Sequence, residues 1–142
     1  MSTIIIDATD LIVGRIGTFA AKQALLGNEV KIINSEKAVI GGKREVVLAD
    51  YQRKRSMGIP AKGPFFHRMP DRLLRRIIRG MLPYKKPRGR EAYERIMCYL
   101  GIPEEFVGKD VVTIEGANVS KLPSLKYVDL KTLSKTLGAK IE

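Results

Sequence analysis

Arg72, Arg75, Arg76 and Arg79 recur at i, i+3, i+4 and i+7, the spacing that places side chains on one face of a helix. Leu73, Leu74, Ile77, Ile78, Met81 and Leu82 fall on the other face, so residues 71–82 read as an amphipathic helix between Pro70 and Pro83. Four guanidiniums over about two turns, roughly 10 Å at 1.5 Å per residue, suit a run of phosphates, to which each planar fork can donate twice. A merely solvated face would interleave Glu with its cations. Here Asp71 is the one acid, and it stands at the helix start, where the dipole favours it. The stripe has no Asn or Gln to read bases in a major groove, which argues against a DNA-binding regulator.

Other candidates for chemistry are weaker. Lys62-Gly63-Pro64-Phe65-Phe66-His67-Arg68 could stack a phenylalanine on an unpaired base, although at least one ring is expected to pin the loop to the core. His67 has no nucleophile or carboxylate in the adjoining sequence. Asp7 and Asp10 bracket the end of an apolar run, where α/β enzymes often hold acids, but capping and turn formation explain them as well. Gly41-Gly42-Lys43 fails the phosphate-loop pattern, with Lys37 in place of its first glycine and Arg44 after the lysine. Gly14-Arg15-Ile16-Gly17 likewise lacks the dinucleotide-binding spacing. A single cysteine, Cys98, and a single histidine exclude an internal disulfide and a His/Cys metal cage. Beside Met97, Cys98 is expected to be a buried, inert thiol.

The charge lies where the stripe lies. The chain of 142 residues has 26 basic and 15 acidic side chains, a net +11. Residues 1–42 balance four against four and residues 96–142 six against six, so the whole excess falls in residues 43–95, sixteen against five. Between Arg53 and Arg90 thirteen basic residues face Asp71 alone. Self-repulsion of that size is tolerable beside a polyanion, and solubility alone would select mixed signs. Nucleic acid is the expected partner. No stretch approaches 18 apolar residues, so no membrane span is expected. The start, Met1-Ser2-Thr3-Ile4-Ile5-Ile6-Asp7, does not resemble a signal peptide, and a reducing, cytosolic setting is expected.

The elements that must position these residues follow from periodicity. With 44% apolar and 29% charged residues, one packed domain over 1–142 is expected. Residues 3–8 and 30–34 read as buried strands around a helix at 11–26, capped by Thr9-Asp10, with Ile12, Ile16, Phe19, Ala20 and Leu25 inward. Strand, helix, strand is a βαβ unit, whose two strands should be parallel. Residues 37–40 suggest a third strand, and residues 43–57 a helix with Val46, Val47 and Tyr51 on one side. Residues 58–70, with two Gly and three Pro, and residues 83–90 read as loops expected to be mobile without RNA. Helix is expected from about Glu91, with Ala92, Tyr93, Ile96, Met97 and Leu100 inward and Gly101 as its C-cap. Residues 110–115 read as a strand, and Asp129 could cap a last helix over 130–137, ended by Gly138.

Several blocks resemble a known family. Ile6-Asp7-Ala8, Val13-Gly14-Arg15 and Asn34-Ser35-Glu36-Lys37-Ala38-Val39 with Gly42 are similar to the opening of large-subunit ribosomal protein thirteen. Lys62-Gly63-Pro64-Phe65-Phe66 and Pro70-Asp71-Arg72 resemble its archaeal and eukaryotic form, and the length its archaeal one. Arg79-Gly80-Met81-Leu82-Pro83-Tyr84-Lys85, Pro87-Arg88-Gly89-Arg90 and Tyr99-Leu100-Gly101 continue the match over about residues 4–103. The resemblance implies a three-layer α/β/α fold with a small, mainly parallel sheet. It also implies a structural constituent of the large ribosomal subunit, with no catalytic residue, metal, cofactor or small-molecule substrate.

Together these readings give an RNA-binding domain whose basic helix-loop region spans about residues 43–95. Its expected contacts are Lys43, Arg44, Arg53, Lys54, Arg55, Lys62, Arg68, Arg72, Arg75, Arg76, Arg79, Lys85, Lys86, Arg88 and Arg90. Large-subunit rRNA and neighbouring large-subunit proteins are the expected partners, on cytoplasmic ribosomes. Removal of the four stripe arginines is expected to weaken RNA binding and leave the fold intact. The alternative is a small α/β enzyme acting on RNA or nucleotides through Asp7, Asp10 or His67.

Overall fold

The computed structural model describes residues 2–123 and 126–140. Along them run β1 (Thr3–Asp7), α1 (Val13–Leu25), β2 (Glu29–Ile33), β3 (Val39–Gly41), α2 (Arg44–Arg55), α3 (Pro70–Arg79), α4 (Pro87–Glu94), β4 (Ile96–Cys98), β5 (Tyr127–Asp129) and α5 (Leu130–Thr136). The β-branched runs pair as the βαβ reading requires: β1 lies parallel to β2, with Ile4 opposite Val30 and Ile6 opposite Ile32. β4 continues the sheet parallel to β2, with Val30 opposite Ile96 and Ile32 opposite Cys98. Strand side chains alternate between faces. Ile6, Val30, Ile32, Ile96 and Cys98 therefore join the main core with Ile16 and Ala20 of α1 and Leu74 and Ile78 of α3. Ile5 and Ile33 face the other way, where Phe106 and Tyr99 cover them. The fold is a small α/β domain with a mainly parallel sheet.

Several boundaries differ from the sequence reading, each for a tertiary reason. The expected helix through residues 96–100 is a strand: α4 already begins at Pro87 and stops at Glu94, and Ile96–Cys98 completes the open edge of β2. Gly101 (φ +61°) turns the chain after that strand rather than ending a helix, and its N–H donates to the Glu36 carboxylate at 3.1 Å. Residues 110–115 form no strand. Only Val112 touches the edge of β1, its N–H reaching the Ile5 carbonyl at 2.8 Å.

The third strand starts at Val39, after a single 3-10 turn at Ser35–Lys37, and pairs antiparallel with β5 in a separate two-stranded sheet. Thr9-Asp10 does not cap α1. Asp10 takes a left-handed φ of +57° in the preceding turn, Ile12 occupies the cap position, and Leu25 is exposed. On α2, Val47 and Tyr51 pack against the core, but Val46 is exposed. The last helix agrees with its reading: the Asp129 carboxylate accepts the Thr132 N–H at 2.8 Å, and Gly138 (φ +100°) follows the helix.

Candidate nucleic-acid interface

Pro70 at the start of α3 and a buried face of Leu73, Leu74 and Ile78 seat that helix on the core, as its period requires. The four arginines of the opposite face then separate. The side chains of Arg72 and Arg76 are exposed and make no hydrogen bond or ion pair among the described residues. Arg79 lays its guanidinium 4.4 Å from the centre of the Tyr84 ring, which holds it in place without using its donors. Arg75 is committed inward. Its Nε donates to the Ile96 carbonyl at 2.8 Å, its Nη2 to the Tyr93 carbonyl at 3.2 Å, and its guanidinium lies 4.0 Å from the Tyr93 ring centre.

Arg75 thus clasps α4 and β4 to α3, and the expectation that all four arginines could be removed without harm to the fold does not suit this geometry. Arg75→Ala removes a donor from each of two half-buried carbonyls and the guanidinium from the Tyr93 ring, and it should lower unfolding stability by about 2–3 kcal/mol. Arg75→Lys should not restore it, because an ammonium cannot make the two-point fork. Urea denaturation checks both variants, with Arg72→Gln as a control expected to stay within about 0.5 kcal/mol of the parent.

His67 stands among the stripe. Partial burial and the guanidiniums of Arg76 and Arg72, countered in part by Asp71 and reinforced by Arg79, hold its imidazole below the ordinary value. The shift favours the neutral imidazole over the cation on this face. Lys54, Tyr51 and Ile77 line the same shallow recess as His67 and Arg76. Farther along α2, Arg53 and Lys54 both reach Asp50, at 3.1 and 3.3 Å, an exposed pairing worth little in water and open to exchange for phosphate. The side chains of Lys43, Arg44, Lys62, Arg68, Lys85, Lys86, Arg88 and Arg90 are exposed and make no hydrogen bond or ion pair among the described residues, and the Arg55 side chain is half-buried and equally unpaired.

Two cations outside the expected set also prove structural. Arg95 donates to the Ala24 carbonyl at 2.8 Å and so tethers the C-terminal end of α1, and Arg15 donates to the Gly116 carbonyl. Their partners lie 71 and 101 residues away, so nothing local marks them.

Of the residues considered for catalysis, Asp7 is occupied otherwise. Asp7 Oδ1 accepts from the Thr9 hydroxyl at 2.6 Å, the Thr9 N–H at 3.0 Å and the Asn34 amide at 3.1 Å. Burial works against its charge, but those bonds and Lys37 outweigh burial and keep the carboxyl below its ordinary range. It is a fixed acceptor that ties β1 to the turn after β2. Burial pushes the Cys98 thiol up to about 12, so it stays protonated and inert, as expected. Among the described residues no group of three His, Cys, Asp or Glu could hold a metal ion, and no helix is long and apolar enough to cross a membrane.

Comparison with known proteins is consistent along nearly the whole chain. The family model described as Ribosomal protein L13 matches residues 1–105. Large ribosomal subunit protein uL13 of Methanococcoides burtonii is 46% identical over 136 residues, covering 96% of this chain and 98% of that protein. The protein of the same name from Methanosarcina barkeri is 45% identical over 137 residues, covering 96% and 98%. That from Haloarcula marismortui is 41% identical over 136 residues, covering 96% and 91%.

Proposed function

The chain belongs to the ribosomal protein L13 family, and from that premise we propose that its basic face binds large-subunit rRNA. The family is one of structural constituents of the large ribosomal subunit, not of enzymes. The observation that carries the reading is the run from Arg53 to Arg90, with thirteen basic residues and one acid, most of whose cations stand exposed and unpaired. In this reading Arg72, Arg76, Lys85, Lys86, Arg88 and Arg90 neutralise phosphates from α3, α4 and the turn between them. Lys43, Arg44, Arg53, Lys54, Arg55, Lys62 and Arg68 extend the contact along α2 and the following loop. Arg79 contributes its free donors from the Tyr84 shelf, and Arg75 holds the surface in shape from behind.

Such contacts read backbone and shape, since side chains cannot enter the narrow major groove of A-form RNA. The protein would thereby stabilise rRNA folding and subunit assembly, on cytoplasmic ribosomes and beside other large-subunit proteins. Crosslinking in cells of the source, followed by sequencing of the attached RNA, tests this. Large-subunit rRNA joined through residues 43–90 supports the reading, whereas scattered RNA or DNA overturns it. In solution, about eight neutralised phosphates should make log K fall with log salt at a slope near −6 to −7.

A further inference from the structure

A groove of about 810 Å³ opens between the end of α2, the loop after it and the end of α5. Met57, Ile59 and Phe65 line it and are 47%, 56% and 65% exposed, so three large apolar side chains stand in water at one place. Clustered apolar surface of that kind marks a place that a partner covers. The side chains of Arg55 and Arg68 line the same groove, and among the described residues they have no hydrogen bond or ion pair and no Asp or Glu joins them in the lining. An occupant that complements this lining has a flat apolar surface and a negative charge.

The loop holds its ring firmly. Gly58 (φ +77°) and Gly63 (φ +84°) meet backbone to backbone, so that a Cβ on Gly58 would fall on the Gly63 carbonyl. Ile59 and Gly63 exchange backbone hydrogen bonds of 3.3 and 2.8 Å across that closure. One side of the Phe65 ring rests on Gly63, where a Cβ would come within 2.9 Å of ring carbons, and the remainder faces water. A ring already fixed loses little freedom when a partner stacks on it. Phe66 is half-buried and lines the same groove beside Phe65.

The geometry points to a binding site for an unpaired nucleotide, with its base on Phe65 and its flanking phosphates on Arg55 and Arg68. A paired base hides its faces in the helix stack, whereas an unpaired one can stack on an aromatic side chain. The groove also has the size of a small-ligand site. An acidic peptide would satisfy the arginines but leave the ring without a planar partner. The site deepens the rRNA reading and rests on it.

The test uses the full chain with two probes, decaadenylate and a ten-base-pair RNA duplex, each titrated at several salt concentrations. Phe65→Leu should weaken decaadenylate binding by about five- to a hundredfold and duplex binding by less than about twofold, with an unchanged salt slope. Phe65→Trp should keep the affinity. Because the chain has no native tryptophan, the fluorescence of the introduced indole should fall on decaadenylate and stay constant on duplex. Equal losses on both probes, no loss on decaadenylate, or an unquenched indole in Phe65→Trp each overturn the stacking site and leave the phosphate interface standing. Displacement of decaadenylate by decaglutamate at equal strength in parent and Phe65→Leu would assign the groove to acidic peptides and likewise overturn the site. Salt-independent binding of both probes would overturn the phosphate reading as well.

Discussion

Replacing Arg72, Arg76, Arg88 and Arg90 together by glutamine should cut affinity for large-subunit rRNA about 500- to 1,000-fold at 0.1 M salt and flatten the salt slope by about three. The size follows from counterion release. Each neutralised phosphate on a single strand contributes about 0.7 to the slope, hence about 0.7 log unit of affinity at 0.1 M, and four such contacts act additively. The fold should survive, because none of the four side chains is buried or makes a hydrogen bond or ion pair among the described residues. Filter binding between about 0.05 and 0.4 M salt measures the slope, with thermal unfolding as the control. An unchanged slope in a folded variant would remove α3 and α4 from the interface.

The second large effect concerns shape rather than charge. Gly89 is buried in α4, and a Cβ there would lie 1.9 Å from the Pro83 carbonyl oxygen and 2.2 Å from its carbon. Both atoms are backbone, in the turn whose Lys86 N–H donates to that same oxygen at 2.9 Å. Alanine in a helix ordinarily gains about 1 kcal/mol over glycine. Here the chain between α3 and α4 must move, and Gly89→Ala should cost about 3 kcal/mol net, lowering the unfolding temperature by about 10 °C. Gly14 gives the contrast. It lies in α1 with nothing within 4 Å of a Cβ, so Gly14→Ala should stabilise by about 0.5–1 kcal/mol. Paired urea titrations of the two variants would show opposite signs, and a Gly89→Ala protein as stable as its parent would refute the close approach.

Much of the fold was legible because its signals are local. The β-branched runs at 3–7 and 29–33 and the apolar face between them could form little else than a βαβ unit, and the Asp129 cap and Gly138 stop bracket α5 from adjoining residues alone. Residues 96–100 misled for an equally physical reason. Ile96, Met97 and Leu100 continue the helical spacing of Ala92 and Tyr93, and only the open edge of β2, more than sixty residues earlier, draws Ile96–Cys98 into a strand. The tail at 110–115 erred the other way: it has strand composition but only one bridge to the edge of β1.

The candidate interface divides along the same line. Composition and spacing by themselves determined that the chain carries its whole excess charge between residues 43 and 95, that α3 is amphipathic, and that a polyanion is the partner to expect, because net charge and a 3.6-residue period need no knowledge of distant contacts. They could not tell Arg75 from Arg72, which share a face and differ in what lies opposite. Nor could they show that Phe65 stands in water while Phe66 is half-buried, or that Gly89 touches Pro83. Those distinctions depend on carbonyls, rings and backbone brought close by folding, and the tertiary structure alone decides which donors are used up inside the protein and which remain for a ligand.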